Sequence, residues 1–297
     1  MTLASCDSRK TAGENPFFTE WDTPHGVPPF DKILPEHFMP AFERGMSLHE
    51  AEIDAITSNK DEATFENTIL AYDDAGQMLA QTELVFGMLC AAETNDRMQA
   101  LQEQAMPLLA AHRDKIRLDD KLFVRVKEVY DRRAALGLDA EQMRLLQKTY
   151  DSFVRAGALL DAEQKARLKE INGQLSLTAV KFGNNILAEN NNFVLELKSD
   201  ELDGLPAGIR DAAREKAQQM GKGDKWVFTL HKPSLIPLLT YSTRRDLREK
   251  IYKAYLNRCN NGDEYDNKQL INDFIRLRTE KAHLLGYPSY AAYVVAD

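Results

Sequence analysis

Apolar residues recur every three to four positions along most of this chain, the spacing that lines one face of a helix. Over residues 36–59, Phe38, Phe42, Met46, Ile53 and Ile56 share such a face. Thr64 has the side chain of an N-cap for a second helix, which carries Phe65, Ile69, Tyr72, Leu79, Phe86 and Cys90. A third helical pattern, residues 96–116, encloses Pro107, whose missing N–H predicts a kink or a split. Asp119-Asp120 open another, with Leu122, Phe123, Val126 and Val129 facing inward and Gly137 as its stop. Asp139 and Asp161 each precede a long helical pattern, the second running to about residue 188.

The pattern then changes. Asn190-Asn191-Asn192 is a turn cluster, and residues 193–197 read as a short strand. Residues 226–230 form a second strand candidate, reached through Gly221-Lys222-Gly223-Asp224 as a connection, with a helix over residues 206–220 between the two. The strands are expected to pair as a small ribbon on a helical body, ended by Pro233 and Pro237. Helix returns at Thr243, whose hydroxyl is placed to cap the turn carrying Asp246. Leu247, Ile251, Ala254 and Tyr255 form its apolar face. The last full helix covers residues 267–285 and stops at Gly286 and Pro288. Ser289 starts another, with Tyr290, Tyr293, Val294 and Val295 apolar, and Asp297 reads as a truncation point within it.

These patterns give a mainly α chain in three parts. Residues 1–14 are a disordered tether, 15–189 an N-terminal helical subdomain, and 190–297 the ribbon with its helices, ending before any catalytic region. A chain of 297 residues has length enough for a large core, and 43% apolar with 28% charged residues is ordinary for a globular protein. The net charge of −8, with no clustering of Lys and Arg, argues against nucleic acid as a partner. No apolar run is long enough to span a bilayer. Cys6, Cys90 and Cys259 are too few and too scattered for a disulfide framework or a Cys-based zinc site. Cys90 sits on an apolar helix face and is expected to be a buried free thiol. Leu3-Ala4-Ser5-Cys6 has the form of a bacterial lipobox, although no positive or apolar signal region precedes it. With a lipidated Cys6 the protein would sit in the cell envelope or periplasm of a bacterium; otherwise it would be cytoplasmic.

The search for chemistry comes back empty. Zinc peptidases place two His at i and i+4, with Glu at i+1 as general base. His49-Glu50-Ala51-Glu52-Ile53 begins that way, but Ile53 stands where the second ligand is needed. His49 therefore reads as a polar-edge residue, and His25, His37, His112, His231 and His283 have no partner at ligand spacing. Residues 263–267 are acidic but lack the alternating oxygens and central Gly of a calcium loop, so they read as a solvated cap on the next helix. Gly221-Lys222-Gly223 is too short for a phosphate loop, no Gly-x-Ser-x-Gly elbow occurs, and 46 acidic residues single out no carboxylate pair. No catalytic, cofactor-binding or metal-ligating residue is assigned.

Several segments in order nevertheless carry a family resemblance. They are Trp21-Asp22-Thr23-Pro24, Pro28-Pro29-Phe30-Asp31-Lys32-Ile33, Thr64-Phe65-Glu66-Asn67-Thr68-Ile69, Phe153-Val154-Arg155-Ala156-Gly157-Ala158, Leu202-Asp203-Gly204-Leu205-Pro206 and Lys281-Ala282-His283-Leu284-Leu285-Gly286-Tyr287. Together they resemble the N-terminal half of the zinc metallopeptidase family of thimet oligopeptidase, oligopeptidase A and peptidyl-dipeptidase, and most of all its bacterial peptidyl-dipeptidase branch. The resemblance runs from about residue 15 to residue 293. It implies an almost wholly helical fold of two lobes flanking a deep channel, of which this chain would be one wall. It also implies short peptide substrates, dipeptides released from their C-termini, and zinc held by a His-Glu-x-x-His helix in a further catalytic lobe. That motif is absent from this sequence, so the chain is expected to be inactive alone. Thr64 and Asn67 are expected to cap a helix and Phe65 to anchor a core. Arg244, Arg245 and Arg248 are expected to form ion pairs on a helix face, and Arg155 and Arg278 are open to inter-lobe contacts. An alternative reading is a stand-alone, non-catalytic helical scaffold that binds peptides or a partner protein.

Overall fold

A computed structural model of the protein describes residues 15–296. The lipobox reading of residues 3–6, the tether and the truncation reading of Asp297 concern residues outside those described. Three short helical turns, Pro16–Phe18, Pro24–Gly26 and Pro35–His37, lead into α1 (Phe38–Ser58). There follow a wide turn at Phe65–Leu70, α2 (Ala71–Asp73), α3 (Gln77–Ala92), α4 (Asp96–Arg117), α5 (Asp120–Asp131), α6 (Ala140–Ala156) and α7 (Ala162–Asn192). Strand β1 (Leu195–Leu197) pairs antiparallel with β2 (Trp226–Phe228), with Glu196 opposite Val227. Helix α8 (Ala207–Gln219) lies between the strands in sequence, and α9 (Lys232–Tyr241), α10 (Arg245–Leu256), α11 (Lys268–Leu284) and α12 (Tyr290–Val295) follow. The chain is mainly α with one two-stranded ribbon.

Local chemistry accounts for most of the boundaries. Thr64 Oγ1 accepts from the Asn67 N–H at 3.1 Å while Asn67 Oδ1 accepts from the Thr64 N–H at 2.8 Å, a reciprocal box that satisfies two orphan donors. Asp119, Asp139 and Ser289 cap α5, α6 and α12 through their side-chain oxygens. Gly286 adopts φ +81°, and the Tyr287 N–H reaches back to the Ala282 carbonyl at 2.8 Å, closing α11.

Six expectations differ from the structure. The helix begun at Thr64 is interrupted: Gly76 takes φ +78° and α3 starts afresh after it. Helix α4 runs uninterrupted through Pro107 rather than splitting. Asn190, Asn191 and Asn192 form the last turn of α7 instead of a loop. Pro233 and Pro237 belong to α9 instead: Pro233 sits in its first turn, where a missing N–H costs nothing, and Pro237 lies inside it, between the buried Leu235 and Leu238. Thr243 does not cap α10; its hydroxyl donates to Asp203 Oδ2 at 2.6 Å. Cys90 is half-buried rather than enclosed, and desolvation still pushes its thiol up to about 11.

The described residues divide into two compact units, one ending at Leu177 and resuming at Arg278, and one of Thr178–Leu277. The first holds two cores. In one, the fully buried Phe38 ring lies 4.9 Å from Phe86 and 5.3 Å from Phe17, with Phe42, Leu79 and Leu109 around them. The other joins α1 to α5 and α6 through Ile53, Ile69, Leu122, Val126, Leu146 and Phe153. Each such side chain contributes about 1.5–3 kcal/mol of burial free energy. The second unit packs Leu195, Leu197 and Phe228 of the ribbon against Leu235, Leu238 and Ile251. There Glu189 of α7 accepts from the Cys259 N–H at 2.9 Å and from Asn261 Nδ2 at 2.7 Å. Asn185 Nδ2 donates to Asn267 Oδ1 at 2.7 Å, and Asn267 Nδ2 donates to the Phe182 carbonyl at 3.2 Å.

Candidate functional site

Among the described residues a group of ionisable side chains gathers where α1 and α4 face each other. Helix α1 is amphipathic, so the buried Ile53 and Ile56 fix its rotation and bring His49 and Glu50 to the border of the packed face. Helix α4 buries Leu109 and Ile116 and with them brings His112 inward, 5% exposed. His112 Nε2 and His49 Nδ1 are 3.1 Å apart. The other ring nitrogen of His112, Nδ1, faces Glu50 Oε1 at 3.4 Å, long for a hydrogen bond, and has no better acceptor. Lys115 Nζ holds the second Glu50 oxygen at 2.7 Å.

Electrostatics push both rings toward the neutral form and the carboxylate toward the charged one. Burial, then the neighbouring His112, lowers the pKa of His49 against the opposing pull of Glu52 and Glu50. Burial likewise lowers His112, opposed by Glu50. The hydrogen bond from Lys115 lowers Glu50. The rings open onto a cleft of about 800 Å³ between α1, α3 and α4, whose other lining includes Ala80, Leu84, Gly87 and Met88.

The residues that the sequence singled out fall mostly into structural roles. Arg244 makes a two-pronged pair with Asp246 at 3.0 and 2.8 Å, while Arg248 donates to the Ser242 carbonyl rather than to a carboxylate. Arg155 Nη2 donates to the Tyr293 carbonyl at 2.9 Å, and the Arg278 guanidinium stands 5.1 Å from the Tyr290 ring centre. Asp266 accepts from the Gly262 and Lys268 N–H groups at 2.8 and 2.9 Å, and with the Lys268 side chain these bonds pull its pKa down to about 2. The acidic loop is thus a cap, as its composition suggested.

Among the described residues no three His, Cys, Asp or Glu side chains converge as a ligand set, and the His49–His112 pair has Glu50 behind it rather than beside it. His112 as the partner of His49 is what sequence reasoning missed. The two stand 63 residues apart on different helices, and no spacing rule links them.

Comparison with known proteins supplies what the geometry does not. Residues 238–297 match the model of peptidase family M3. The chain is 37% identical to dipeptidyl carboxypeptidase of Escherichia coli (strain K12) over 284 residues, which is 95% of this chain and 42% of that protein. It is 34% identical to dipeptidyl carboxypeptidase of Salmonella typhimurium over the same shares. Oligopeptidase A of Escherichia coli is 27% identical over 91% of this chain and 40% of its own length. The chain therefore spans about two fifths of the length of the curated relatives it matches.

Proposed function

From the premise that the chain is similar to dipeptidyl carboxypeptidase along 95% of its length and to peptidase family M3 over residues 238–297, we propose that it is the N-terminal, non-catalytic lobe of a zinc-dependent peptidase acting on short peptides. The observation that carries this reading is the 37% identity to dipeptidyl carboxypeptidase across almost the whole chain but only 42% of that protein. Oligopeptidase A is more distant at 27%, which favours release of C-terminal dipeptides over internal cleavage. No His-Glu-x-x-His occurs in the sequence, so zinc and its general base belong to the remainder of the longer protein. On this reading the helices of the chain shape and limit access to the substrate path, and no proton transfer is routed through its own side chains.

The test compares the 297-residue chain with the product of its complete gene. Each is given an N-terminally blocked tetrapeptide, with and without a chelator, and dipeptide release is followed by chromatography. Hydrolysis by the longer protein alone, abolished by the chelator and restored by zinc, is expected. Chelator-sensitive hydrolysis by the chain alone, or a reading frame that stops after Asp297, overturns the proposal.

A further inference from the structure

The cleft beside the histidine pair has the makings of a ligand site. Glu50 is an acceptor only, kept ionised by Lys115 at 2.7 Å, so the ring proton of His112 belongs on Nδ1, which faces it. His112 Nε2 is then a lone pair, and His49 Nδ1, 3.1 Å away, is the donor to it. One proton order follows from the carboxylate outward. It leaves Nε2 of His49 as an unprotonated acceptor with no protein partner among the described residues, on a ring that lines the cleft.

The ring is also held in place. A Cβ built on Gly76 would stand 2.9 Å from His49 Nδ1 and 3.0 Å from Cγ and Cε1, so the imidazole lies directly against the Gly76 backbone. Gly76 in turn is tied by its N–H to Glu52 Oε2 at 2.7 Å. Around this fixed acceptor the cleft is apolar. Leu84 is 70% exposed and Met88 56%, and the small Ala80 and Gly87 line the cleft with them. The charges at the rim, Glu83 and Arg113, are 3.7 Å apart and offset each other. Clefts of this size with few polar groups are where small uncharged molecules bind.

We propose that this cleft binds the planar ring of a phenol or an indole, whose single O–H or N–H donates to His49 Nε2. An uncharged ring matches the neutral apolar lining, and the Met88 thioether suits an aromatic face. One donor meets one acceptor. Alcohols of the same size would lack the flat contact, and anions would strip water from apolar surface without a cation to meet them. The proposal stands independently of peptidase activity.

The test is an NMR titration of the full chain, labelled at histidine, with p-cresol and with toluene, the same ring without the hydroxyl. N-acetyl-tyrosinamide and N-acetyl-phenylalaninamide form a parallel pair that separates a free phenol from a peptide side chain. We expect saturable shifts at His49 and an affinity for p-cresol about 2- to 10-fold above that for toluene, the worth of one net hydrogen bond. His49→Phe should erase that advantage while toluene still binds. Should His49→Phe not fold, Glu50→Gln, which removes the charge that sets the proton order, should shrink the same ratio. Equal affinity for p-cresol and toluene in the unmodified chain overturns the proposal, as does an advantage that survives His49→Phe.

Discussion

Arg125 Nη2 donates to Asn67 Oδ1 at 3.0 Å, joining residues 58 positions apart. The same oxygen accepts from the Thr64 N–H, so the helix cap and the guanidinium share one acceptor. Arg125 Nη1 takes the carbonyls of Asn59 and Asp61, both at 3.1 Å, and so ties down the segment after α1. The side chain is buried, and removing it leaves the Asn59 and Asp61 carbonyls without this donor and takes one of its donors from Asn67 Oδ1. Arg125→Met is expected to cost about 2–4 kcal/mol, because breaking a buried charged network leaves its partners unpaired. A fall in the urea midpoint with an unchanged slope would report it.

The aromatic cluster around Phe38 makes a second prediction. Its ring is fully buried and touches Phe17, Phe42 and Phe86. Phe38→Ala should destabilise by about 3–5 kcal/mol through lost burial and a cavity, whereas Phe38→Leu should cost roughly half as much. Thermal melts of the two variants side by side give the comparison.

Gly204 and Gly137 separate strain from crowding. Both have positive φ, +82° and +65°. A Cβ at Gly204 would lie 2.2 Å from the Tyr241 carbonyl oxygen, while at Gly137 it meets nothing within 4 Å. Gly137→Ala should cost about 1 kcal/mol, the left-handed penalty alone. Gly204→Ala forces the backbone itself to move and should cost at least about 3 kcal/mol. Similar losses at the two sites would refute the distinction.

The histidine pair predicts a pH dependence. Burial lowers both rings below the ordinary 6.5, His49 facing His112, Glu50 and Glu52, and His112 facing Glu50, Lys115 and Glu83. As pH falls through 6.5 the unfolded chain takes up these protons first, so stability present above that point is lost below it. Urea midpoints at pH 7.5 and 5.5 should therefore differ more for the unmodified chain than for the His49→Phe, His112→Leu double variant. Equal differences would show that the pair does not titrate this way.

What the sequence made legible was local. Thr64, Asp119, Asp139, Ser289 and Gly286 act within one helical turn, and each ended or began a helix where its chemistry said it would. The failures have tertiary causes. Pro237 sits inside α9 because Leu235 and Leu238 reach the core of the second unit, an energy that local propensity does not contain. The asparagines at the end of α7 stay helical while Asn190 Oδ1 accepts from Arg258, 68 residues on. The helical pattern from Thr64 to Cys90 was read straight across Gly76, but Glu52 and His49 hold that residue as a break. The His49–His112 pair left no trace in sequence, since neither residue's neighbours encode the other. The resemblance to the peptidases, by contrast, was readable because it rests on ordered short motifs rather than on contacts.

Glu189 and Asn267 carry one more consequence. The loop from Cys259 to Asn267 is tied at its first residue to Glu189 and at its last to Asn185 and Phe182, all on α7. Neither end is released while that part of α7 stays wound, so the loop and the helix open together as one cooperative patch. In deuterium exchange the Cys259 amide should fade at the pace of the helix it leans on, not at the pace of an exposed loop.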